Sequence, residues 1–222
     1  MTGESPPIFP REAGIEFVAT AFLLIAIVGS GIMAERLSGG NMAVALLANA
    51  IATGMGLLAL ILAFGPHSGA HMNPVVTLAA ALTGGLRWQR AVAYIAAQFA
   101  GGIAGVWIAH LMFELPVIQF SQRVRTGPGQ WLGEIVATFG LLIVIWGCRA
   151  ARPPVTALAV AAYITGAYWF TSSTSFANPA VTLARSLTDT FSGIRMADAP
   201  GFVLAQGAGL LLALPLLRML RE

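Results

Sequence analysis

The segment "ANPAVTLARS" at positions 177–186 decides the fold, because its first seven residues after the alanine repeat an earlier stretch. "NPAVTLA" at 178–184 matches "NPVVTLA" at 73–79 without a gap. Asn is a preferred helix N-cap, and Pro suits the first helical position because its missing N–H would be unpaired there anyway. Each box therefore starts a helix, and only about ten mildly apolar residues follow before polar sequence returns. That is half of the roughly 20 residues needed to cross a bilayer. Two short helices opened by the same pair, in a chain this apolar, imply segments that enter a membrane without crossing it.

The rest of the chain supplies the membrane. Of 222 residues, 57% are hydrophobic and 9% charged, against roughly 25% charged in soluble domains. Six runs are long and apolar enough to span: 15–34, 42–64, 91–111, 131–148, 155–170 and 201–220. The connections leave no room for a separate soluble domain. The first run has one arginine before it and no small-residue cleavage site after it, so it is expected to be a retained helix and not a signal peptide.

Further matches show that the chain is written twice. "EFVAT" at 16–20 returns as "EIVAT" at 134–138, and "AAQFAG" around Gln98 returns as "LAQGAG" around Gln206. The order is the same in both copies, giving one channel-sized domain over 1–222 built from halves 1–112 and 129–222 with a linker at 113–128. Three spans per half is an odd number, so the second copy enters upside down, related to the first by a pseudo-two-fold axis in the membrane plane. The expected fold is all-α and integral to the membrane: six transmembrane helices plus two re-entrant half-helices in an inverted 3+3 repeat. Non-helical backbone at membrane depth must be buried in protein or line a water-filled cavity. The half-helices then meet N-terminus to N-terminus near the midplane. Each start carries about half a positive charge, so the junction repels cations. The amides of Asn73 and Asn178 can donate to a passing oxygen.

At these residues the sequence resembles the aquaporin, or major intrinsic protein, family. The likeness covers both boxes (Asn73, Pro74, Val75 and Asn178, Pro179, Ala180), the glutamates of spans one and four, the "SGAHMNP" approach, and the glutamines of spans three and six. It implies a passive pore in every monomer, a homotetramer and cytoplasmic termini in a cell (inner) membrane. It also implies a constriction of four residues beside the boxes. Counting from the asparagines, these fall on Thr53, Gly166, Ser175 and Val181. The last is normally arginine. Either Arg185 is that arginine displaced by an insertion, or valine has replaced it. Four residues shift a side chain about 6 Å along a helix, and the two boxes align without a gap. Substitution is the reading adopted. Arg185 is then expected near the outer mouth or paired with Asp189, its i,i+4 neighbour.

Four small, uncharged residues imply a wide ring, as in bacterial aquaglyceroporin-like relatives linked to arsenic handling. The implied permeants are glycerol- and urea-like solutes, water, and neutral metalloid hydroxides, with arsenous acid or methylated arsenicals favoured. A mainly water-selective channel, a coupled transporter on an inverted-repeat fold and a scaffold without flux are the alternatives. A transporter would need titratable groups beyond Glu16 and Glu134, which the repeat symmetry assigns to holding the loops that enter the half-helices.

Other features receive structural readings. His71 is placed in the inner vestibule, and His67 and His110 at span ends. The histidines have no metal-ligand spacing, and no cofactor or enzyme motif is present. Gly101, Gly105, Gly207 and Gly209 are assigned to helix contacts. Cys148 is the single cysteine, excluding an internal disulfide. All twelve basic residues are arginines, scattered beside the spans, where they set topology and do not bind nucleic acid. With the N-terminus inside, Arg11, Arg87, Arg90, Arg149, Arg152, Arg218 and Arg221 lie in the cytoplasm. Arg36, Arg123, Arg125, Arg185 and Arg195 lie outside. The segment at 114–130 is long enough to fold over the outer mouth.

Overall fold

The computed structural model describes residues 9–149 and 151–220; Arg221, one of the topology residues, lies outside them. The described residues form helices only. In chain order these are α1 (Phe9–Leu37), α2 (Met42–Ser68), α3 (Pro74–Leu82), α4 (Trp88–Met112), α5 (Pro128–Gly147), α6 (Pro153–Phe170), α7 (Pro179–Arg185), a 3-10 turn at Met196–Asp198, and α8 (Ala199–Met219). Proline opens α3, α5, α6 and α7, where its fixed φ suits the first turn. Asn41 caps α2 by accepting from the N–H groups of Ala43 and Val44.

Five helices are individually long and apolar enough to cross a membrane: α1, α2, α4, α5, and α8 with its preceding turn. The sixth, α6, is 18 residues, about 27 Å long, and packs between α2 and α5. Its 18 residues include two prolines, two tyrosines and a tryptophan. The distribution of polarity is inverted relative to a soluble protein. Phe22, Leu158 and Leu211 are exposed on the outside of the bundle, whereas Glu16, Gln98, Glu134 and Gln206 are fully buried.

Small residues set the helix spacing, as expected where helices pack in lipid. A Cβ at Gly101 would lie 2.2 Å from the Phe17 carbonyl oxygen, and one at Gly105 equally close to that of Ala21, so α4 lies directly on α1. Gly209 performs the same task for α8 on α5, its Cβ position being 2.8 Å from Ile135 O. Gly207 does not, because nothing lies within 4 Å of it. It stands one residue after Gln206, on a different side of α8 from Gly209. The seven-residue α7 and nine-residue α3 each pack on the last long helix of their own half and on that of the other half. The two halves are thereby interlocked at the centre.

Gly101→Val is expected to force α1 from α4 and cost about 1–3 kcal/mol or more, seen as a lower melting temperature of the detergent-solubilised protein. Gly207→Ala, with open space and a better helix former, is expected to leave it unchanged or raise it.

Candidate functional site

The approach to each half-helix is a strained loop. Ala70 and Met72, and Ser175 and Ala177, all have φ near +50°. These are the third and first residues before each asparagine. Left-handed backbone costs non-glycine residues roughly 1–2 kcal/mol each, so something must hold it. Glu16 holds the first loop: Oε1 accepts from Ser68 Oγ and the His71 N–H, and Oε2 from the Met72 N–H at 2.7 Å and Gln98 Nε2 at 2.8 Å. Glu134 holds the second. It accepts from the N–H groups of Phe176 at 2.9 Å and Ala177 at 2.8 Å, and from Gln206 Nε2. Hydrogen bonds to a charged group contribute about 1.5–3 kcal/mol each, enough to offset the strain.

Each glutamine has a second task. Gln98 also donates to Thr77 Oγ1, and Gln206 to Thr182 Oγ1, both at 2.9 Å. Each threonine hydroxyl donates in turn to the carbonyl of its own box asparagine. Because the Thr77 proton is committed there, the contact of His71 Nδ1 with Thr77 Oγ1 at 3.1 Å assigns the proton to Nδ1. Thr77 and Thr182 went unassigned in the sequence reading, although both lie inside the repeated boxes.

The asparagines join the halves. Asn73 Oδ1 caps α3 through the Val75 N–H, and its Nδ2 donates to Ala177 O at 2.8 Å. Asn178 Oδ1 caps α7 through Ala180 and Val181, and its Nδ2 donates to Met72 O at 2.7 Å. One N–H of each amide is spent on this reciprocal crossing. A carboxamide has two, so one remains for a visitor.

Both asparagines line a cavity of about 470 Å³. One end carries Arg90, Arg149 and His67, the other Arg185. Leu, Ile and Val supply 11 of its 32 lining residues, and among the described residues no carboxylate lines it; Glu16 and Glu134 are turned to their loops. Thr53, Ser175 and Val181 line this cavity together, and so does His71. Gly166 does not: a Cβ there would meet only the Phe170 ring, 3.6 Å away. Tyr168, two residues further along α6, lines the cavity, and its hydroxyl donates to Thr53 Oγ1 at 3.3 Å. Thr53, Ser175, Val181 and Tyr168 thus line one cavity.

Of the two expectations for Arg185, the pairing with Asp189 is not seen. The arginine is buried, 2% exposed. Its Nε donates to Ser192 O and its guanidinium carbon lies 3.5 Å from the centroid of the Phe176 ring. Asp189 instead accepts from the Gln122 N–H, because the linker lies on the segment after α7. Ser121 N–H donates to Ser186 O, Arg195 N–H to Arg123 O, and fully buried His110 at the end of α4 bridges Val117 O and Thr188 Oγ1.

A bundle of membrane-crossing helices around a central cavity, closed by two half-helices meeting cap to cap, defines a polytopic channel. Residues 6–156 match the profile of the family described as major intrinsic protein. The chain is 55% identical over 213 residues, 96% of its length, to the aquaglyceroporin AqpS of Rhizobium meliloti (strain 1021), covering 91% of that protein. It is 31% identical to the aquaporin NIP2-1 of Oryza sativa subsp. japonica over 199 residues, 85% of this chain and 65% of that protein. The solved X-ray structure of the aquaglyceroporin from Plasmodium falciparum superposes with a TM-score of 0.71 over 95% of both chains at 19% identity, which speaks to the fold. The chain belongs to the major intrinsic protein family, whose members are channels for small neutral solutes and water and not enzymes.

Glu134→Leu strands the N–H groups of Phe176 and Ala177 and the Gln206 amide in an apolar interior, at about 1–3 kcal/mol each. Thermal unfolding in detergent is expected to shift strongly downward, with Glu134→Gln intermediate. An unchanged melting temperature for Glu134→Leu would contradict the loop-holding role.

Proposed function

We propose that the protein is a passive channel for small uncharged polar solutes, glycerol- and urea-like, with water. The range extends to neutral metalloid hydroxides such as arsenous acid and its methylated derivatives. The observation that carries this reading is the composition of the cavity wall. Two asparagine amides with a spare donor each stand at its middle, beside Thr53, Tyr168, Ser175 and Val181. Hydroxyls on one part of such a wall and valine on another suit a solute with oxygens along one edge and a compact or carbon-bearing body along the other. Pore diameter and lining donors determine selectivity of this kind. Valine at 181 leaves space that a guanidinium would fill.

A coupled transporter is disfavoured because both buried glutamates are committed to loop amides. In the full assignment the protein is one domain over 1–222 with halves 1–112 and 129–222, a homotetramer in the cell (inner) membrane. Its termini are cytoplasmic, which puts Arg90 and Arg149 at the inner mouth and Arg185 toward the outer one. The resemblance of the box sequences to the relatives named above and the arginine distribution support this assignment.

Stopped-flow light scattering on proteoliposomes tests it. Native protein is expected to pass glycerol, urea and arsenous acid. Val181→Arg is expected to slow these by about tenfold or more, a barrier change of ~1.4 kcal/mol, and water less. Native flux of water alone, or a substitution without effect, would overturn the reading.

A further inference from the structure

Val76 and Val181 occupy equivalent places three residues after the two asparagines, and both line the cavity. Four residues further on the halves differ: the first has Ala80, the second Arg185. Arg185 is thus the departure from repeat symmetry that puts a fixed charge on a half-helix. Of its guanidinium only Nε has a protein partner among the described residues; the two terminal amino groups, with four N–H donors, have none. The group cannot turn away, because its plane lies against Phe176, and Phe176 is held edge-on by fully buried Phe202 at 5.0 Å. Beside it in the wall is Ser175, whose buried hydroxyl also has no partner.

A second guanidinium stands behind the same ring. Arg125, from the linker, lies 5.3 Å from the Phe176 centroid and donates to Gly193 O and Thr174 Oγ1. Burial, and secondarily the neighbouring Arg123, push Arg125 down to about 10, which still leaves it charged at neutral pH. Neither Arg125 nor Arg185 forms a salt bridge among the described residues. A buried cation with unused donors must find acceptors, and here only the contents of the cavity can supply them.

The geometry points to Arg185 as a specificity-determining residue of the conduit. Its guanidinium supplies the fixed positive charge that turns back cations and the donors that take the oxygen of a neutral solute, while Val181 sets the width one turn earlier on α7. Charge selection and size selection, which a single arginine at position 181 would combine, are separated onto two residues. Arg185 offers its donors in a rigid fork, which lysine cannot reproduce. The inference rests on reading the cavity as a path for small neutral solutes.

Urea and guanidinium separate charge from size, being planar and of similar dimensions, one neutral and one a cation. In proteoliposomes the native protein is expected to pass urea and to pass guanidinium at about a tenth of that rate or less, the ratio set by ~1.4 kcal/mol. Arg185→Gln and Arg185→Met, which keep a stem of similar length over Phe176, are expected to raise guanidinium flux about tenfold. Arg185→Lys is expected to keep guanidinium out while slowing urea. Guanidinium flux equal to urea flux in native protein overturns the inference without any variant. So does exclusion that persists in Arg185→Gln or Arg185→Met vesicles that still pass urea. If the native protein passes no urea, the solute reading itself fails, and the urea arm alone reveals it.

Discussion

Backbone that leaves the helix inside a membrane must have its amides satisfied by protein, and in this chain two carboxylates meet that demand. Glu16 and Glu134 are fully buried, with no cationic partner among the described residues. They are tolerated because Glu16 accepts four hydrogen bonds and Glu134 three, from loop N–H groups, a glutamine amide and, for Glu16, the Ser68 hydroxyl. With the loops fixed, the asparagines reach across to each other's loops and both half-helices point their positive ends at one place. Remove the carboxylates and the left-handed residues before each asparagine have nothing to oppose their strain. The conduit is therefore a consequence of how the loops are held.

The repeat explains the scaffold, and its breakdown explains the site. Glu16 and Glu134, Gln98 and Gln206, and Thr77 and Thr182 form the same network twice. Two residues before each asparagine the pattern continues in shape but not in chemistry. His71 meets Tyr94 edge-on at 5.6 Å, and Phe176 meets Phe202 edge-on at 5.0 Å. Tyr94 and Phe202 each lie four residues before their glutamine. On the His71 side the ring hydrogen-bonds to Thr77, whereas on the Phe176 side the ring carries Arg185 on its face. The two approaches are thus built alike and differ in the group that meets the ring.

Much of this was legible in the sequence because it is local or symmetric. The Asn-Pro boxes announce their own caps, the matched "EFVAT" and "EIVAT" pair the glutamates, and hydropathy gives the spans. Thr53, Ser175 and Val181, reached by counting from the asparagines, line the cavity, although left-handed residues stand between Thr53 and Asn73 and at Ser175 itself. Gly166, reached by the same count, is not among the lining residues, and with no side chain it leaves space on α6 where a Cβ would meet only the Phe170 ring. Of the two expectations for Arg185, the pairing with Asp189 fails for a physical reason. The i,i+4 spacing presumes a helix, but α7 stops at Arg185, and Asp189 is taken by the linker backbone. Tyr168 and Phe176 carried no sequence signal beyond being aromatic in an apolar chain.

The central claim is that the two held loops make a fixed conduit, with no buried acid available to couple flux to protons. Measuring urea entry into proteoliposomes over a wide concentration range, with and without an imposed pH gradient, tests it directly. The account predicts a rate that rises in proportion to the urea gradient and is indifferent to the pH gradient. A rate that saturates and is driven uphill by protons would contradict it.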